Sequence, residues 1–195
     1  MILVSGFKPF LNESINPSQM LVESIQHAQV STIVLPVEFD RAFEILHHSI
    51  EKIKPEIIIM LGQAGGRSKV SLEKVALNWR QTTEKDEAGF CPMTGPITSD
   101  ARLAVMTSYP IDQLHEYLMQ KGLPIEISFS AGTFVCNDIY YRTLAHYPEI
   151  KSVFIHVPFI SEQNHADKPM LQFHSLQNVI SDIITFSIER VISRT

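Results

Sequence analysis

Short apolar runs alternate with amphipathic helical segments along all 195 residues, and no other feature limits the possible fold as strongly. The run Ile57–Leu61 (IIIML) is too short for a helix and has no polar face, so it reads as a strand buried on both sides. Met1–Ser5, Ser31–Leu35, Ile125–Ser128 and Val153–Val157 read as further strands, and Val70–Leu77 alternates more like a strand than the short helix that is its alternative. Between them, Asn16-Pro17-Ser18 places a capping side chain before a proline at the first helical position, opening a helix to about His27. Phe43, Leu46, Ile50 and Ile53 recur at spacings of three and four, which predicts a helix over Asp40–Ile53. Further helices are expected over Ile111–Lys121, stopped by Gly122 and Pro124, and from about Cys136 to Ala145. A last helix carries Leu176, Val179, Ile180, Ile183, Ile184 and Ile188 on one face. Such alternation predicts one α/β domain over residues 1–195, with a largely parallel sheet covered on both faces.

Bulk properties exclude several functions. The formal net charge is −5, and lysines and arginines form no stripe, so nucleic-acid binding lacks electrostatic support. The longest apolar run falls far short of the ~20 residues that cross a bilayer, so no membrane partner is expected. The opening MILVSGFKPF has no basic region before its apolar residues and reads as a first strand rather than an export signal. A cytoplasmic location follows as the expectation, with Cys91 and Cys136 as free thiols.

The stretch SFSAGTFVCNDIYYR (128–142) puts Cys136 where a strand gives way to a helix. Ligands of open α/β sheets bind beyond strand carboxyl ends, and N–H groups at a helix start stabilise a thiolate or an oxyanion. A free cysteine is also often a small buried hydrophobe, and both readings stand on the thiol alone. His156 ends the apolar run SVFIHVPF and could serve as its base or be a hydrogen-bonded core residue. Glu73 lies in a largely apolar stretch, where it needs a partner, unless it is exposed beside Lys74. The segment Glu84–Pro96 reads as a long surface loop.

GQAGGRSKVSLEKVALN (62–78), SAGTFVCN (130–137) and FIHVPFISEQ (154–163), with SGFKPF and NPS near the start, resemble the ordered motifs of the pyroglutamyl peptidase I family of cysteine peptidases. The resemblance implies a three-layer α/β/α sandwich that removes N-terminal 5-oxoproline from peptides through a thioester. It implies Cys136 as nucleophile, His156 as base and acid, and Glu73 as the orienting carboxylate. It also implies that Phe7 and Phe10 flank the pyroglutamyl ring, that Asn16 and the Gln63 backbone contact the lactam, and that Phe134 and Val135 line the approach. No metal or other cofactor is implied, and a homo-oligomer, a tetramer or a dimer, is.

Two departures accompany the likeness. Thr83 and Glu84 stand where the family has an active-site arginine and an aliphatic residue; Arg80, three residues away, is the candidate to substitute, although a shifted guanidinium rarely reproduces the same geometry. Leu11-Asn12 replaces a Gly-Gly pair. The alternative they suggest is a weakened relative that binds blocked peptides or acts on another small amide. A phosphate cradle in GQAGGRS is the remaining rival, but its spelling fits neither G-x-x-x-x-G-K-[ST] nor G-x-G-x-x-G.

Overall fold

The computed structural model describes residues 1–11, 13–99 and 102–192, so Asn12 of the Leu11-Asn12 departure lies outside the described residues. In chain order the elements are β1 (Ile2–Phe7), α1 (Pro17–Ser24), β2 (Val30–Leu35), α2 (Arg41–Ile53), β3 (Ile57–Gln63), β4 (Val70–Glu73), β5 (Val75–Leu77), β6 (Ala104–Met106), α3 (Ile111–Gln120), β7 (Ile125–Ser128), α4 (Val135–His146), β8 (Lys151–Val157), β9 (Phe159–Ile160), β10 (Met170–Leu171) and α5 (Phe173–Phe186). Six strands form the central sheet in the order β2-β1-β3-β8-β4-β7. The first four in that order run parallel, β4 runs antiparallel to β8, and β7 follows β4.

Strand residues alternate between the two faces. Ile57, Ile59 and Leu61 pack with α1, α3 and α5, whereas Ile58 and Met60 pack with α2 and α4. This makes the three layers of an α/β/α sandwich, as the sequence led us to expect. The expected periodicity of α2 holds, with Leu46 and Ile50 buried against the sheet. Each such side chain stabilises the fold by about 1.5–3 kcal/mol. Asn16 caps α1, its Oδ1 accepting from the Ser18 N–H at 2.9 Å, as its place before Pro17 implied.

Three boundaries differ from the expectation. Helix α1 stops at Ser24 because Ile25 is already extended, so its end falls short of His27. The single strand expected over Val70–Leu77 breaks at Lys74, which donates its N–H to Ser128 O at 2.7 Å; the second half, β5, pairs with β6 instead. The loop expected over Glu84–Pro96 belongs to a longer irregular stretch between β5 and β6. Buried Asp86 organises it by accepting from the N–H groups of Phe39, Ala88 and Phe90 at 2.8–3.0 Å.

Helices α1 and α2 lie on opposite faces, so the winding reverses between β1 and β3. Open α/β sheets bind ligands at such a switch, beyond the strands' carboxyl ends. Phe7 ends β1, Gln63 ends β3 and Val157 ends β8 at that edge.

Candidate active site

Register brings the key side chains to one face. His156 pairs with Gly62 on β3 and with Ser71 on β4, while Phe154 pairs with Glu73. Paired residues share a face, and so do alternate residues of one strand. Gly62, Glu73, Phe154 and His156 therefore all face α4. The first turn of α4 lies directly above them. A Cβ built on Gly62 would stand 3.1 Å from the Cys136 Sγ, so the sulfur rests against the strand position beside His156. Cys136 was expected beyond the carboxyl end of the strand preceding it. That strand, β7, runs against β8, and the edge Cys136 reaches is the carboxyl edge of β3 and β8.

Glu73 is fully buried and its Oε1 lies 2.8 Å from the His156 Nδ1. A carboxylate only accepts, so Nδ1 carries the proton and Nε2 is left as the basic nitrogen. Burial lowers the imidazole pKa; the Glu73 hydrogen bond and charge oppose this, and the Arg67 charge adds to the lowering. Burial pushes the Cys136 thiol up to about 12, Glu73 pushes the same way, and Arg67 and the residue's own N–H pull back. Both shifts disfavour the charged forms of the pair at rest. Burial and a nearby carboxylate oppose the thiolate that a helix start alone favours. Cys136 as a residue is half-buried. Both cysteines are unpaired, and Cys91 is exposed in its loop.

The remaining candidates separate into two groups. Phe10 and Phe134 stack at 24° with centroids 6.4 Å apart, and Phe39 meets Phe134 edge-on at 5.1 Å. Gln63 accepts from Gln163 Nε2 at 2.8 Å at the same edge. Phe7, by contrast, is buried against Phe154, and Val135 is buried in the core beneath α4. Asn16 is buried too: its Oδ1 accepts from Ser18 N and Oγ, and its Nδ2 donates to Lys8 O at 3.0 Å. Its side chain shapes the Phe7–Phe10 loop.

Arg80, the nearby candidate for the role of an arginine at Thr83, is held by acidic partners. It pairs with Asp138 and, at 2.7 Å, with Asp40, and lies over the Phe39 ring. Thr83 and Glu84 are exposed. Among the described residues, the cation that pairs with the buried acid is Arg67, which donates to Glu73 Oε1 at 2.7 Å and to Ser130 O at 3.1 Å. Sequence reasoning missed Arg67, although a cation following Gly-Gly six residues before a buried acid was available as a signal. It also missed Asn137, which clamps the start of α4 to β5 through Leu77 N and O, both at 2.9 Å. The third omission was Tyr140, which donates to Glu73 O at 2.7 Å.

A cysteine at a helix start above an imidazole–carboxylate pair, on an α/β/α scaffold, defines a cysteine hydrolase. Comparison with known proteins narrows the class. The family model for pyroglutamyl peptidase matches residues 1–194. The pyrrolidone-carboxylate peptidases of Enterococcus faecalis and Brachyspira hyodysenteriae are each 38% identical to the chain. The first alignment covers 98% of this chain and 92% of the relative, and the second 97% and 96%. Among solved structures, the pyrrolidone carboxyl peptidase of Thermococcus litoralis superposes with a TM-score of 0.91 at 30% identity, over 100% of this chain and 96% of that one. A mutant of the enzyme from Pyrococcus furiosus gives 0.90 at 32%, over 97% and 99%. The chain belongs to the pyroglutamyl peptidase family.

Proposed function

We propose that this chain hydrolyses the bond after an N-terminal pyroglutamyl residue, with Cys136 as nucleophile, His156 as base and acid, and Glu73 as the orienting carboxylate. The observation that carries the assignment is the buried His156–Glu73 hydrogen bond on the sheet face where the Cys136 sulfur rests. As the sulfur attacks the pyroglutamyl carbonyl, His156 Nε2 takes its proton, and the carbonyl π pair moves to oxygen. Unpaired N–H groups at the start of α4 receive that oxyanion. The imidazolium, steadied by Glu73, then protonates the departing amine as the C–N bond breaks and leaves a thioester. Water adds to the thioester with His156 again as base, and the thiol and pyroglutamic acid are released.

The pyroglutamyl ring is small and uncharged. The Phe10 and Phe134 rings support its placement: with centroids 6.4 Å apart, they offer apolar surface to a flat lactam. Phe7 and Val135 back these walls from the core, and Asn16 and the Gln63 backbone set the edge that reads the lactam. The test is release of a fluorophore from a pyroglutamyl amide. Cys136→Ser and His156→Ala lose essentially all turnover, and Glu73→Gln falls by about 10²–10⁴-fold. Turnover surviving in Cys136→Ser would sink the assignment.

Two broader features complete the proposal. Exposed Phe90, Met93, Leu103 and Met106, all between β5 and the end of β6, support a homo-oligomer, dimer or tetramer. The exposed free thiol of Cys91 supports a reducing cytoplasm. Light scattering giving only a monomer mass at micromolar concentration would refute the first. Fractionation of cells with the chain outside the cytoplasm would refute the second.

A further inference from the structure

We infer that Arg67 is a positioning residue for the catalytic pair, holding the Glu73 carboxylate in line for His156 while clasping the loop that leads to Cys136. The inference rests on the reading of Cys136, His156 and Glu73 given above. Its geometry is specific. The guanidinium uses one nitrogen on Glu73 Oε1, at 2.7 Å, and the other on Ser130 O, at 3.1 Å. Ser130 lies in the short connection between β7 and α4, six residues before the nucleophile. One side chain thus ties the turn after β3 to both the acid and the cysteine loop.

The carboxylate depends on this contact. Both Arg67 and His156 donate to Oε1, and among the described residues no donor reaches Oε2. Arg67 is the cation that compensates a fully buried charge. A planar fork can serve two acceptors at fixed angles, whereas a lysine ammonium is a single point. Among the described residues, the charged or titratable groups around His156 are Glu73 from β4, Arg67 from the β3–β4 connection and Cys136 from α4, with Tyr140 of α4 on the Glu73 backbone. Within that set, Arg67 opposes the protonated imidazole and favours the thiolate. Losing its charge makes His156 easier to protonate and Cys136 harder to ionise.

The experiment compares Arg67→Gln and Arg67→Lys with the wild type, measuring kcat, KM and the pH profile of kcat/KM on a fluorogenic pyroglutamyl amide. Cys136→Ser and His156→Ala are run beside them. Arg67→Gln is expected to lose up to about 10²-fold in kcat with little change in KM. Its acidic limb moves to higher pH by about half a unit or more. Arg67→Lys keeps the charge and loses the fork, so kcat falls while the limb stays in place. Alkylation of Cys136 by iodoacetamide at pH 8, followed on its own peptide by mass, slows in the Gln variant only. A Gln variant with wild-type kcat, limb and alkylation rate overturns the inference. So does a drop in melting temperature with the limb unmoved, which marks a purely structural arginine. If the Gln variant does not fold, the Lys variant decides, and wild-type kcat there overturns the inference. Turnover retained in Cys136→Ser or His156→Ala instead brings down the site assignment, and the inference with it.

Discussion

A methyl group at Gly62 would enter the contact between the sheet and the sulfur. Built on the backbone, its Cβ lies 2.7 Å from the Phe154 Cζ and 3.1 Å from the Cys136 Sγ. Carbon atoms rest comfortably at about 3.5–4.0 Å, so the ring would have to withdraw by roughly 0.8 Å or more. Phe154 is hemmed in by Phe7, Tyr140 and His156, with ring centroids at 6.5, 5.8 and 4.8 Å. The strain is therefore shared with the sulfur and with the imidazole beside it. Overpacking of this kind costs about 1–3 kcal/mol. At about 2–4 °C per kcal/mol for a chain of this size, Gly62→Ala should melt roughly 2–12 °C lower. A displacement approaching 1 Å can cost about 10²-fold in rate, so kcat on a pyroglutamyl amide should fall about 10–100-fold in the folded variant. Gly122→Ala is the control. Its φ is +71° with open space where the Cβ would go, so it meets backbone strain of about 1–2 kcal/mol and leaves kcat alone. A folded Gly62→Ala enzyme with wild-type kcat would refute the placement of the sulfur against β3.

Because burial lowers the His156 pKa, the neutral base form persists below pH 6.5, and kcat/KM should rise with pH along a limb whose midpoint lies under that value; a midpoint above 7 contradicts it. The same shift has a stability consequence: as pH falls below about 6.5, the unfolded chain takes up a proton that the buried ring refuses, so stability falls. The Cys136 thiol, raised to about 12, acts at the other end: above its ordinary value of 9.0 the unfolded thiol ionises first, and stability falls as pH rises through that window. Denaturant midpoints measured from pH 5 to 10 in wild type and Cys136→Ala check both signs. Asp138→Ala removes the buried carboxylate that pairs with Arg80 and Arg142. It should cost on the order of 3 kcal/mol in urea unfolding, and a loss below 1 kcal/mol would count against that network as a structural element. Phe10→Ala opens one wall of the aromatic pair and should raise KM about tenfold with kcat nearly unchanged; an unchanged KM removes Phe10 from the ring site.

Much of the fold was legible because the informative residues act locally. The spacing of Phe43, Leu46, Ile50 and Ile53 announces α2 without reference to any other part of the chain, and Asn16-Pro17-Ser18 announces the start of α1. The Cys136, His156 and Glu73 constellation was legible only through the likeness of their motifs, since the three lie on α4, β8 and β4. Their meeting depends on strand order, which periodicity does not encode. The surroundings of Arg80 were hidden for a related reason. Its partners Asp138 and Asp40 are 58 and 40 residues away, and nearness to Thr83 in sequence says nothing about them. The electrostatics were equally hidden: a cysteine at a helix start suggests a thiolate, whereas burial and the Glu73 charge, which oppose it, appear only in the folded chain.

The reversal of β4 can be traced to a length. Six residues, Ala64–Lys69, join β3 to β4. A parallel return to the sheet needs a crossover of a dozen residues or more, so the chain must turn back at the carboxyl edge and run down beside β8. That direction puts Ser71 level with His156 and Glu73 level with Phe154, two residues deeper. Two residues along a strand span about 6.8 Å, a distance that a glutamate side chain and the near edge of an imidazole can close to the observed 2.8 Å. The same tight connection keeps Arg67 at the edge above β4, from where its guanidinium reaches the acid. The brevity of one loop thus fixes the strand direction, the hydrogen bond that sets the tautomer of His156, and the cation that steadies its partner.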